Sequence, residues 1–249
     1  VNDQPSTQEA FPKKLSESGL FANVARHQMQ PGVIPYSVNS PLWSDGAHKT
    51  RFFAVPHDAD EAGTPPKISA GGNRGWSFPE QTVLIKSFAV DMVEGEAASR
   101  RWIETRFLHR ENKEWVGYSY RWNDEQTDAT LVDKAGLDID FKVESTDGAM
   151  VDRKWRYPSR AECMVCHSRA ANYVLGLSTP QMNRDHDYAS VGGGVDNQLR
   201  TLEHLGYFKL KRKGGKDASF TADDHPRLAD PYDSAELLAG RALSYPPSN

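Results

Sequence analysis

The stretch Arg101–Trp122, RWIETRFLHRENKEWVGYSYRW, decides the fold. It holds two runs rich in aromatic and β-branched residues, Arg101 to His109 and Glu114 to Trp122. The short polar break Glu111-Asn112-Lys113 between them suits a hairpin. Further strand-like runs lie outward on both sides: Arg51 to Val55, Thr82 to Phe88, Thr130 to Val132 and Leu137 to Val143. Gly72, Gly75 and Pro79 mark a turn before Thr82. Short strands with close turns and no long helical periodicity predict an antiparallel meander, sandwich or open barrel.

After Tyr157-Pro158 the character changes. Ser159, with Glu162 three residues on, forms a capping-box pattern and predicts a helix running into Cys163. Leu199, Leu202 and Leu205 recur at helical spacing within 197–207, and Ser234 to Leu243 reads as a last short helix. Lys209 to Asp224 is charged and glycine-containing, hence a loop. Pro31 to Asp45 reads as an ordered loop rich in turn formers and aromatics. The resulting organisation is an N-terminal arm (1–30), a β-rich domain (31–180) and a helical and loop extension (181–249). The fold class is mainly β with helical additions.

The chemistry concentrates in Cys163-Met164-Val165-Cys166-His167. C-x-x-C-H is the attachment pattern of a c-type haem: the thiols add to the two porphyrin vinyls and the histidine falls under the iron as proximal ligand. These are the chain's only two cysteines, so none is left for a disulfide or a four-ligand zinc site. A thioredoxin-like dithiol would want a βαβ context near the start of a domain, and half a zinc site would need a second ligand pair. One covalent haem c, held by Cys163, Cys166 and His167, is the expectation.

Composition sets the bounds. A chain of 249 residues buries a full core. A net charge of −4 gives no electrostatic case for nucleic acid. Mean hydropathy is −0.67, and no apolar run approaches the ~20 residues of a membrane span. Val1-Asn2-Asp3-Gln4-Pro5 reads as a processed mature end. Haem is attached covalently outside the cytoplasm in bacteria, so the expected location is periplasmic or secreted, with a signal peptide removed.

A distal ligand would separate electron carriage from catalysis. Met182 is the methionine candidate, with Met29, Met92 and Met150 behind it; His109, His186 and His204 are the histidines. Each has the plainer reading of core filler or surface histidine. In the strand Thr82–Phe88, alternation puts Lys86 between Leu84 and Phe88 on one face, where an ammonium is costly without an acceptor. The plainer alternative is an edge strand with a snorkelling stem. Trp102, Glu104, Arg106 and Leu108 share a face of the next strand. There Glu104 and Arg106 form either a solvated pair or a polar cluster able to hold a propionate or move a proton. Lys86, Glu104 and Arg106 are therefore the distal-side candidates.

Two families resemble this chain. Phe78-Pro79-Glu80-Gln81-Thr82-Val83-Leu84-Ile85-Lys86, then Glu104, the haem motif and Tyr173-Val174 resemble cytochrome P-460 and the beta-type cytochromes c′ over about residues 75 to 175. That resemblance implies a β-sheet haem protein with a five-coordinate iron. In cytochrome P-460 a lysine is cross-linked to the porphyrin and an acidic residue works on the distal side in hydroxylamine oxidation. Lys86 and Glu104 take the matching places. Leu15 to Phe21, Pro31 to Tyr36, Pro41 to Gly46, Tyr118 to Asp124 and Tyr157 to Ala161 resemble, over nearly the whole chain, a family of bacterial secreted dihaem c-type cytochromes. Its members continue into a second C-x-x-C-H after a segment like Leu238 to Ser244. This chain has no second motif, which leaves open a shortened relative or a one-haem member.

Three functions follow. The first is an electron-transfer cytochrome that docks a redox partner protein. The second is a haem enzyme or small-ligand binder acting on hydroxylamine, nitric oxide or peroxide at an open iron. The third is a haem-bearing structural subunit of a larger secreted assembly. Electron transfer requires the fewest special residues and is the leading expectation; whether the chain is an enzyme, and whether it forms a homo- or hetero-oligomer, stay open.

Overall fold

The computed structural model describes residues 11–56, 67–70, 75–208 and 221–245. The strands are β1 (Phe21–Asn23), β2 (Gln28–Met29), β3 (Val33–Pro35), β4 (His48–Ala54), β5 (Val83–Asp91), β6 (Arg100–Glu111), β7 (Glu114–Trp122), β8 (Ala129–Leu131), β9 (Leu137–Glu144) and β10 (Met150–Tyr157). Next come helices α1 (Arg160–Cys166) and α2 (Thr179–Met182) and strands β11 (Asp185–Asp187) and β12 (Val195–Asn197). Helices α3 (Gln198–His204) and α4 (Leu238–Ser244) complete the order.

The protein is mainly β, and every named strand pair is antiparallel. Six strands form one meander in the order β3-β4-β5-β6-β7-β8. The hairpin read from Arg101–Trp122 supplies its fourth and fifth strands. The connection is two residues, Asn112 and Lys113, with φ of 53° and 66°. Such left-handed pairs match the twist of the flanking strands. The Glu80 carboxylate accepts the Lys113 N–H at 3.1 Å and pins the turn.

Alternation divides the sheet into two faces. One face carries Phe52, Ile85, Phe107 and Tyr118, closed over by Leu15, Phe21 and Val24 of the N-terminal arm. The other carries Phe53, Leu84 and Leu108, in one core cluster with Trp76, Leu177, Met182, Leu199, Leu202 and Phe208. That cluster runs without a break across residue 180, so the C-terminal extension shares the core of the β-rich part. The hairpin β9-β10, whose second strand lies beyond the runs the sequence predicts, covers the far end of this second face, with Trp155 and Tyr157 on Phe88.

One expectation about faces is corrected. Trp102 does not share the face of Glu104 and Arg106. The register slips between Phe88 and Ala89, so Glu104 pairs with Phe88 and Trp102 with Ala89. Ile103 is the extra residue of a bulge, which reverses the alternation. Trp102 instead stacks on His27 of the arm, 3.9 Å between ring centroids. Leu205, expected on the buried stripe of α3, is 53% exposed because α3 ends at His204. Most of the segment read as a loop, 209–220, lies outside the described residues. Among the described residues no helix is long and apolar enough to cross a membrane.

Candidate functional site

Helix α1 starts where the sequence places it. Ser159 Oγ accepts the Glu162 N–H at 3.2 Å, and the Glu162 carboxylate accepts the Ser159 N–H at 2.7 Å. Arg156 also holds that carboxylate, at 2.8 Å, and these bonds pull its pKa down to about 2. The helix lies against β7 at Gly117. A Cβ there would stand 2.7 Å from both Cβ and Sγ of Cys163, so only glycine admits this approach.

The motif runs out at the C-terminal end of α1. Cys166 is the last helical residue and His167 the cap, whose N–H bonds the Cys163 carbonyl at 3.1 Å. Asn172 and Tyr173 then take left-handed conformations and turn the chain back. The turn presents the Tyr173 carbonyl to His167 Nδ1 at 2.7 Å. A carbonyl only accepts, so Nδ1 carries the proton and Nε2 keeps its lone pair. Burial, with Lys86 and Arg106 nearby, lowers the His167 pKa and favours the neutral ring. The Tyr173-Val174 pair noted in the sequence thus has a physical role. Asn172 Nδ2 anchors the turn to the Gly75 carbonyl at 2.9 Å, where a Cβ on Gly75 would meet the Val174 oxygen at 2.3 Å.

Cys163, Cys166 and His167 line one cleft of about 200 Å³, open to solvent at its mouth. Its apolar wall includes Val38, Leu84, Leu108 and Leu175; Lys86, Arg106 and Arg51 supply positive charge, and Glu162, held by Arg156, is the one carboxylate among the lining residues. Lys86 loses its usual basicity: burial depresses its pKa well below the normal lysine value, with Arg51, Lys49 and Arg106 adding to the effect and Glu104 opposing it. Glu104 is fully buried beneath the cleft wall, not on it. Its oxygens accept from Arg106 Nε at 2.7 Å, Arg106 Nη2 at 2.8 Å and Trp155 Nε1 at 2.9 Å. It positions Arg106 and has no oxygen without a donor.

The distal candidates separate. Met182 is fully buried in the core cluster and does not line the cleft. His186 is held by Ser37 Oγ at 3.1 Å, His109 bonds Gln81 on the opposite face of the sheet, and His204 is exposed. Met29, Met92 and Met150 also lie elsewhere. Sequence reasoning missed Arg51, Tyr36 and Gln181. The signal for Arg51 was the one used for Lys86: a cation alternating with apolar residues, here Phe53 and Val55. Gln181 joins α2 to the loop at Ser40 through two hydrogen bonds, 2.8 and 3.0 Å, and so closes the cleft rim.

The residues present fit a covalent haem. Two thiols and an imidazole with its lone pair share one cleft, and Arg51 and Lys86 of its wall, which have no anionic partner among the described residues, match a group bearing carboxylates. A redox dithiol fits less well. Burial raises the Cys163 pKa, and the motif ends a helix instead of beginning one, where the dipole would favour a thiolate. Among the described residues no group of three or more His, Cys, Asp and Glu is placed to hold a metal ion. Comparison with family models, curated proteins and solved structures yields no match.

Proposed function

We propose that this chain is a c-type cytochrome carrying one covalent haem, working in electron transfer in the periplasm or as a secreted protein. One observation carries the reading: Cys163, Cys166 and His167 line a single cleft, with His167 Nδ1 committed to the Tyr173 carbonyl. In this reading the two thiols anchor the porphyrin and His167 Nε2 ligates iron. Bound haem supplies a one-electron carrier. The chain's part is to fix the imidazole tautomer, to wall the group in apolar surface and to leave the cleft mouth open toward a redox partner.

The cleft lining favours a second reading, small-ligand binding or catalysis at an open iron. None of the candidate methionines and histidines lines it, whereas Lys86 and Arg106 do. Both readings are tested on protein matured with the haem c machinery. One haem per chain in the pyridine haemochrome assay, lost in the Cys163→Ala/Cys166→Ala double variant, is the expected result. No covalent haem would end the proposal. Reduced bands that ignore carbon monoxide mark a six-coordinate carrier; bands that shift with it mark an open iron.

A further inference from the structure

The cleft face of the sheet carries a row of charge that the other described residues do not balance. In the register of β4, β5 and β6, Arg51 stands opposite Lys86 and Lys86 opposite Arg106. Like charges directly opposite one another destabilise a sheet. All three residues line the cleft. Arg106 has an anionic partner in Glu104, which takes Nε and Nη2 and leaves Nη1 free of it.

Among the described residues, the side chains of Arg51 and Lys86 make no hydrogen bond and no ion pair. The Lys86 ammonium lies 4.9 Å over the Phe88 ring, and the Arg106 guanidinium lies 4.6 Å over the same ring. Two arginines and Lys86 against the Glu104 carboxylate leave the row positive, with a net charge of +2 when Lys86 is protonated. Arg184 and Lys49 lie near enough to add to it. The row continues on β7 at Ser119, whose buried hydroxyl has no hydrogen-bond partner among the described residues; Ser40 on the cleft rim has the same property. Charges partly withdrawn from water, as these are, are favoured by a group of opposite sign beside them.

We propose that the row Arg51–Lys86–Arg106 is a carboxylate site, and that its occupant is the pair of propionates on the covalently held haem. The inference rests on the proposed function and adds the orientation of the group. Cys163 sits over Gly117 on β7, and Arg51 is three strands away on β4, ~14 Å at ordinary strand spacing. Vinyls and propionates occupy opposite edges of a porphyrin, so thioether anchorage at β7 sends the carboxylates toward β4 and β5. A free oxyanion has the same chemistry and is the other source the experiment must separate.

The test uses matured holoprotein and its Arg51→Gln, Lys86→Gln and Arg51→Lys variants, with Lys113→Gln as a surface control. Resonance Raman bands of propionate bending, the midpoint potential and a phosphate titration at constant ionic strength are read. The expected result is shifted propionate bands in Arg51→Gln and Lys86→Gln and a lowered midpoint, partly restored in Arg51→Lys, with phosphate silent. A saturable phosphate effect that Arg51→Gln abolishes keeps the oxyanion site and reassigns its occupant. Unchanged bands and potentials with phosphate silent overturn the inference. Should maturation yield no covalent haem, the proposed function fails. Phosphate binding by that haem-free protein, read by tryptophan fluorescence, then upholds an oxyanion site if Arg51→Gln abolishes it, and overturns the inference if absent. Arg51→Gln removes an unanswered charge, so it is expected to fold; Arg51→Lys guards against the contrary.

Discussion

Arg106 closes on Glu104 with two parallel hydrogen bonds, Nε to Oε1 at 2.7 Å and Nη2 to Oε2 at 2.8 Å, from two residues along the same strand. Trp155 Nε1 completes the carboxylate from the hairpin above. The arrangement joins the cleft wall to the β9-β10 cover through one buried acid. Glu104→Gln leaves Arg106 as a further uncompensated cation beside Lys86. The expected loss is roughly 2–3 kcal/mol, below that of a fully buried pair because Arg106 keeps 35% of its side-chain surface. Urea unfolding of the variant measures it; a midpoint equal to wild type would mean that Arg106 does not depend on this partner.

Gly117 sets the distance between α1 and the sheet. Gly117→Val needs room where Cys163 already stands 2.7 Å from the position of a Cβ. The helix must lift, and with it the motif. Covalent haem content, from the ratio of Soret to protein absorbance, is expected to fall severalfold, with a lower Tm. Full loading at wild-type Tm would show that α1 does not need this contact.

Ser159 begins the seven-residue helix that carries the motif. Removing its hydroxyl in Ser159→Ala leaves the Glu162 N–H without its acceptor, a change worth about 1 kcal/mol at a helix N-terminus. Hydrogen exchange across 159–167 is expected to quicken while exchange in β6 and β7 stays as it was.

His27 is packed against Trp102, with Nε2 2.8 Å from Ser87 Oγ, and burial takes its pKa from 6.5 down to about 4. The unfolded chain therefore binds this proton more readily than the folded one between those values. Stability from this residue is fully present above about pH 6.5 and is lost as pH falls toward 4. The full swing is on the order of 3 kcal/mol. Stability measured from pH 7 to 4 is expected to decline less steeply in His27→Gln; parallel curves would remove His27 as the source.

The sequence by itself determined what is local. Alternation and a short polar break gave the β6-β7 hairpin, because strand period and turn chemistry act over a few residues. The cap pattern at Ser159 and Glu162 gave the start of α1, because a helix end is satisfied by side chains within one turn. The C-x-x-C-H spacing gave the candidate site. Tertiary structure decided what depends on residues far apart. The bulge at Ile103 placed Trp102 and Glu104 on opposite faces, a matter of pairing with β5 that no single strand encodes. Arg51 entered the cleft through its register with Lys86, and Met182 was drawn into the core by Leu199 and Leu202. Glu104, which reads as a proton-moving group beside the haem, became a fully bonded anchor because Trp155 arrives 51 residues later to complete it. Burial and partner choice are sums over the whole chain, so they emerge only when the strands have been laid side by side.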